Sequence, residues 1–108
     1  MTINLPQPVA AYFAAESLDG EAVSRCFAER AVVKDEGHTY NGRAAIKAWK
    51  EEASSKYQYT SELLGCEHED DRVVVTSRLT GNFPGSPVDL RFNFELAGEQ
   101  IVSLEIAP

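Results

Sequence analysis

From Asp89 to Leu96 the chain alternates without a break. Leu90, Phe92, Phe94 and Leu96 fall on one side, Asp89, Arg91, Asn93 and Glu95 on the other. Successive strand side chains point to opposite faces, so this run predicts a β-strand with one buried and one wet face. Such a strand needs hydrogen-bonded neighbours and an apolar cover over its greasy side. Neighbours are available on both flanks. Gln58–Cys66 and the β-branched run Arg72–Phe83 read as strands, and Val102, Leu104 and Ile106 alternate with Ser103 and Glu105. Turn signals separate them: the acidic stretch His68–Asp71, the loop Phe83-Pro84-Gly85-Ser86-Pro87 and the turn Ala97-Gly98-Glu99.

The cover is encoded upstream, where the period changes to that of a helix. Pro6 and Pro8 suit a first helical turn, after which Val9, Tyr12 and Phe13 recur at helical spacing. Asp19 is a good N-cap for a second helix that places Ala22, Val23, Cys26 and Phe27 on one face. Ala31-Val32-Val33 starts a short strand that runs into the polar stretch Lys34–His38. Asn41-Gly42 then breaks the chain before a third helix, striped by Ile46, Trp49, Ala53 and Tyr57, with Lys47, Lys50 and Glu51 facing water. Helices first and strands afterwards is the α+β pattern, and 108 residues suffice for one domain spanning 1–108.

Charge narrows the partners. Seventeen acidic against ten basic side chains give a net charge of −7, and no cluster of Lys or Arg exists to hold phosphates. Nucleic acid and anionic membrane surfaces are therefore not expected as partners. Much of the excess sits in Glu62, Glu67, Glu69, Asp70 and Asp71, which lack the alternating spacing and bend glycine of a calcium loop. Cys26 and Cys66 are forty residues apart, with no C-x-x-C or Cys/His cluster, so neither a metal nor a redox cofactor is expected. The first residues lack the basic start and apolar run of a signal peptide, and no run approaches eighteen apolar residues; a cytoplasmic location follows as the expectation.

Five segments, in this order and spacing, resemble a known family. They are Tyr12-Phe13, the stretch Phe27–Asp35, Gly42-Arg43-Ala44-Ala45-Ile46-Lys47-Ala48-Trp49, Gly81–Pro87 and Gly98–Leu104. Together they are similar to the NTF2-like superfamily, in particular its bacterial SnoaL-like, ketosteroid isomerase-like branch. The resemblance implies a cone in which three N-terminal helices close the concave side of a strongly curved antiparallel sheet over a pocket. It also implies a homodimer formed through the outer face of the sheet. Fold alone does not name an activity.

Asp35 matches the position of the catalytic base in the ketosteroid isomerases of this superfamily. A carboxylate of raised pKa placed over an acidic C–H can take and return a proton. A pocket lined by Phe27, Trp49, Tyr57, Phe92 and Phe94 would supply the desolvation, although Trp49 on an apolar stripe reads first as core. The isomerase's two enolate donors are not matched: the tyrosine position falls on Ala11, one residue from Tyr12, and the late-strand aspartate position falls near Phe92. A steroid isomerase is therefore not expected. Related dehydratases and cyclases pair an Asp with a His, which makes His38 a candidate partner. Three residues apart on an extended strand the two would face opposite ways, unless Gly37 bends the chain. The expected protein is a metal-free isomerase, dehydratase or cyclase acting on an apolar small molecule, with Asp35 as base and Tyr12 or His38 as donor. The alternative is a non-catalytic ligand-binding or dimerising module.

Overall fold

In a computed structural model, residues 5–16, 18–56 and 58–108 are described, 54–56 as backbone only. Helices α1 (Gln7–Ala15) and α2 (Gly20–Ser24) come first, followed by a hairpin of β1 (Phe27–Asp35) and β2 (His38–Asn41). Helix α3 (Gly42–Lys56) precedes the strands β3 (Tyr59–Glu69), β4 (Arg72–Gly81), β5 (Val88–Ala97) and β6 (Gln100–Ala107). The class is α+β, but the hairpin stands between the second and third helices, so the helices are not all N-terminal to the sheet. Asp19 does cap α2, accepting from the Ala22 N–H at 2.8 Å. Phe27, expected on the α2 face, instead opens β1, because its backbone registers with Ile101 of β6 and that pairing overrides a local helical pattern.

The six strands run in the order β2-β1-β6-β5-β4-β3. All neighbours are antiparallel except β1 and β6, which are parallel, so the sheet is mixed rather than wholly antiparallel. Register shifts interrupt three ladders, between Phe27 and Val32, between Leu63 and Gly65, and between Glu95 and Leu96. Each unpaired residue bends its strand and raises the local twist, which curls the sheet.

The concave face carries the core. Val73 and Val75 of β4, Phe92 and Phe94 of β5, and Ile101 and Leu104 of β6 are all buried there, as the β5 alternation requires. Tyr12 of α1 sits over them, fully buried, with its ring 5.1 Å from Phe13, 6.0 Å from Phe27 and 5.4 Å from Phe94 in edge-to-face contact. Such pairs add about 0.5–1.5 kcal/mol each to the burial of the rings. Helix α3 packs on α2, β1 and β2. It buries Ile46 and Trp49, and also Lys50, which is only 3% exposed where the sequence pattern places it in water. Among the described residues no helix is long and apolar enough to cross a membrane.

Two turns set the register of the strands they join. Glu36 (φ 52°) and Gly37 (φ 79°) both adopt left-handed backbone, the signature of a tight two-residue hairpin, which sets Asp35 directly across from His38. The β3–β4 turn is shorter than the expected acidic stretch, because His68 and Glu69 remain in the ladder opposite Val73 and Arg72.

One core position is chemically mismatched. The Ser77 hydroxyl on β4 is fully buried and has no hydrogen-bond partner among the described residues. Ser77→Ala should therefore hold or raise the unfolding free energy, by about 1 kcal/mol, because it removes a desolvated group that makes no bond. Phe94→Ala, which empties the same core, should lower it by about 3–5 kcal/mol. Urea unfolding midpoints of the two variants check the contrast.

Candidate active site

A cavity of about 640 Å³ opens on the concave side of the sheet. Its apolar wall is built by Leu79 of β4, Val88, Leu90 and Phe92 of β5 and Ile106 of β6, with the loop residues Phe83–Gly85 at one edge. Its polar lining is Tyr12 and Glu16 of α1 and its end, Asp35 at the end of β1 beside Ile106, Trp49 and Lys50 on α3, and Tyr59 at the start of β3. Of the residues expected there, Asp35, Tyr12, Trp49 and Phe92 line the cavity. Phe27 and Phe94 stand in the packed core behind it. His38 is exposed and off the cavity wall, and Tyr57 lies outside the described residues.

Asp35 is the last residue of β1, and the hairpin turn holds it where the sheet edge meets α3. The indole N–H of Trp49 donates to its Oδ2 at 3.0 Å. Burial raises the Asp35 pKa above the ordinary carboxylate value; the Trp49 hydrogen bond pulls against that without cancelling it, as do Lys50 and His38 more weakly. Trp49 is thus core and site at once: its ring packs, 6.0 Å from that of Tyr40, while its nitrogen positions the carboxylate. The turn also does what the candidate Asp/His pairing needed, since directly opposed residues share a face, although the His38 ring remains in solvent.

The second group is Lys50. Its Nζ donates to Glu16 Oε2 at 2.8 Å and to the Tyr59 hydroxyl at 2.7 Å. The rings of Tyr12, Trp49 and Tyr59 surround it, with centroids 5.9, 5.5 and 5.5 Å from the nitrogen. Burial on its own would push the Lys50 pKa down. Glu16 and Tyr59 outweigh it and hold the pKa above the ordinary lysine value. Lys50 is therefore an ammonium at neutral pH, a hydrogen-bond donor and not an amine nucleophile. Tyr12 turns its hydroxyl toward Glu16 Oε2, 3.4 Å away, and burial raises its pKa well above the usual phenol value. Tyr59 has room beside β4 because its ladder partner is Gly81, where an added Cβ would lie 2.7 Å from that of Tyr59.

Neither Lys50 nor Glu16 is marked as a site residue by the sequence pattern. Lys50 follows Trp49, and a polar residue beside a stripe reads as solvent-facing; Tyr12 and Glu16 of α1 and Tyr59 of β3 enclose it. Arg78 lies off the cavity, half-exposed in an ion pair with Asp89 at 2.8 Å. Among the described residues no three His, Cys, Asp or Glu side chains gather as a metal site.

Residues 9–104 match the SnoaL-like domain family. A solved structure of a candidate polyketide cyclase from Sinorhizobium meliloti is 40% identical, with a TM-score of 0.90 and 94% of each chain covered. A ketosteroid isomerase-like fold protein from Catenulispora acidiphila, solved in complex with trimethylamine, is 22% identical with a TM-score of 0.86 over 97% of this chain and 87% of that one. An NTF2-like protein of unknown function from Cytophaga hutchinsonii superposes with a TM-score of 0.76 at 15% identity, over 98% of this chain and 90% of that one. No curated protein matches the chain in sequence.

The buried pair and the buried base respond differently to substitution. Lys50→Met leaves the Glu16 charge uncompensated in a site where that side chain is 10% exposed, and should cost about 3–5 kcal/mol. The double variant Glu16→Leu/Lys50→Met should recover most of it, as a double-mutant cycle from chemical denaturation will read. Asp35→Asn should be more stable than the parent at neutral pH. The parent loses stability as pH rises from the ordinary carboxylate value near about 4 to the raised folded value, and is flat above it. The advantage of Asp35→Asn should accordingly fade as pH falls through that window, measured as the difference in thermal midpoint between the two proteins.

Proposed function

The chain belongs to the SnoaL-like domain family, and on that premise we propose that its cone takes an apolar carbonyl compound from which Asp35 removes and returns a proton. The reaction is of isomerase, dehydratase or cyclase type. The observation that carries the reading is the Asp35 carboxylate at the cavity wall, its pKa raised by burial and its orientation held by the Trp49 N–H. A base works best with a pKa close to the working pH, because it is then both largely ionised and basic enough to take a carbon-bound proton. An ordinary surface aspartate is too acidic for that. Burial beside Trp49 and Ile106 moves Asp35 in the needed direction.

The proton balance is simple. The carboxylate takes the α-proton, the C–H electron pair moves into a new carbon–carbon double bond, and the carbonyl oxygen becomes an enolate. Asp35, now a neutral acid, returns the proton to the same carbon or to another (isomerisation), gives it to a β-hydroxyl that the enolate expels as water (dehydration), or gives it to the alkoxide formed when the enolate attacks a second carbonyl and closes a ring (cyclisation). The apolar wall suits a hydrocarbon skeleton, and 40% identity with a candidate polyketide cyclase supports a substrate rich in carbonyl groups.

Deuterium exchange tests the reading without the natural substrate. A panel of apolar cyclic ketones in D₂O should exchange α-protons faster with the protein than without it, as followed by NMR. Asp35→Asn should slow the catalysed exchange by about 10²–10⁴-fold. The catalysed rate should rise with pH and level off above the raised Asp35 pKa. Ketones that bind yet exchange at the background rate would assign the cone to binding alone.

A further inference from the structure

Proton abstraction next to a carbonyl needs a donor for the oxygen that becomes negative, and such donors are usually the largest single contribution to catalysis. Neither family donor position is filled in this chain, and the Tyr12 hydroxyl is directed at Glu16. Another group on the cavity wall has the required chemistry. An ammonium has three N–H donors and no acceptor, so in the 2.7 Å contact the Tyr59 oxygen must be the acceptor. The phenolic proton of Tyr59 is then left over. No group among the described residues accepts it, and Tyr59 lines the cavity. A hydrogen bond received from a buried cation also polarises the O–H and makes it a stronger donor.

We infer that Tyr59, polarised by Lys50, is the donor to the substrate's carbonyl oxygen, and that the site takes an uncharged ketone. This rests on the Asp35 reading for the chemistry but on separate residues for the geometry. Tyr59 is the catalytic group of the pair, since it touches the substrate. Lys50 acts through it and is a positioning residue, fixed by Glu16. The charge of the wall sets the substrate class. Glu16, Asp35 and Glu36 face Lys50 as the sole cation among the described lining residues, so an anionic substrate meets net repulsion. A neutral molecule does not. During the reaction the enolate charge develops against the Tyr59 O–H, while the proton resides on Asp35, leaving the total charge of the site unchanged.

The probe is 6-propionyl-2-(dimethylamino)naphthalene, an uncharged ketone whose emission moves to longer wavelength when its carbonyl accepts a hydrogen bond. Bound to the parent protein it should emit to the red of its emission in Tyr59→Phe. Tyr59→Phe should bind it about fivefold more weakly, the loss of one hydrogen bond. The analogue in which a propyl group replaces the propionyl group should bind both proteins alike, a result that a merely structural role for Tyr59 would not give. The corresponding naphthalene carboxylate should bind the parent at least about tenfold more weakly than the ketone. Equal emission and equal affinity in parent and Tyr59→Phe would overturn the assignment, even where α-proton exchange occurs and depends on Asp35. Failure of the parent to bind the ketone, or preference for the carboxylate, would overturn the substrate class. A Tyr59-dependent shift without Asp35-dependent exchange supports the donor and counts against the base alone.

Discussion

A sheet that curls creates a hollow, and the hollow must be either packed or put to use. Here the bulges at three ladders bend the sheet, and the hollow is divided between the two outcomes. On one side Tyr12, Phe27 and Phe94 fill it with edge-to-face rings, leaving none of them exposed. On the other a cavity remains, walled by Leu90, Phe92 and Ile106. Tyr12 belongs to both. Its ring closes the packed part while its hydroxyl contributes to the cavity's polar side, so the boundary between core and site runs through one side chain. The Tyr12 ring, with those of Trp49 and Tyr59, also surrounds the Lys50 ammonium, so the packing that closes the core also desolvates the cavity's cation.

Within the hollow, two kinds of charge are treated in opposite ways. Lys50 and Glu16 are nearly buried but paired at 2.8 Å, so each compensates the other, and the Lys50 pKa is held above the ordinary lysine value. Among the described residues Asp35 receives one side-chain N–H, from Trp49, and burial outweighs it and raises the Asp35 pKa. Two ionisable sites with divergent environments in one cavity are the usual physical basis for separate acid and base roles. The stability cost falls on Asp35, the group whose chemistry benefits from being poorly solvated. Function and stability pull apart at that residue.

Much of the architecture was legible because the signals were strong and local. The β5 alternation, the Asp19 cap and the Ile46–Trp49 stripe each rest on a few adjacent residues, and each is found where the pattern puts it. What was not legible is non-local. Phe27 sits at helical spacing from Val23, and only its pairing with β6 makes it a strand residue. The parallel β1–β6 pair joins segments some seventy residues apart, which no window of sequence reports. In the site, Asp35 was reached through the family resemblance. The burial of Lys50 depends on Glu16 and Tyr59, thirty-four residues before it and nine after. A lysine flanking an apolar stripe is ordinarily a solvated one, and nothing in its neighbours along the chain says otherwise.

The pairing of Lys50 with Glu16 is not explained by stability, since well-packed hydrophobic residues commonly do as well in such positions or better. Its location is informative instead. Trp49 and Lys50 are consecutive on α3, so their side chains leave the helix about 100° apart. One reaches Asp35 and the other reaches Glu16 and Tyr59, so a single helix, at a single rotation about its axis, sets both ends of the polar wall. That rotation is itself fixed by close packing. Gly20 of α2 lies so near α3 that a Cβ there would come within 2.8 Å of the Lys47 carbonyl oxygen. A side chain at that position would push α3 outward and displace Trp49 and Lys50 together. The spacing between a base that takes a proton and a donor that receives the resulting charge is thus held by backbone packing beneath the site, and not by the two groups contacting each other.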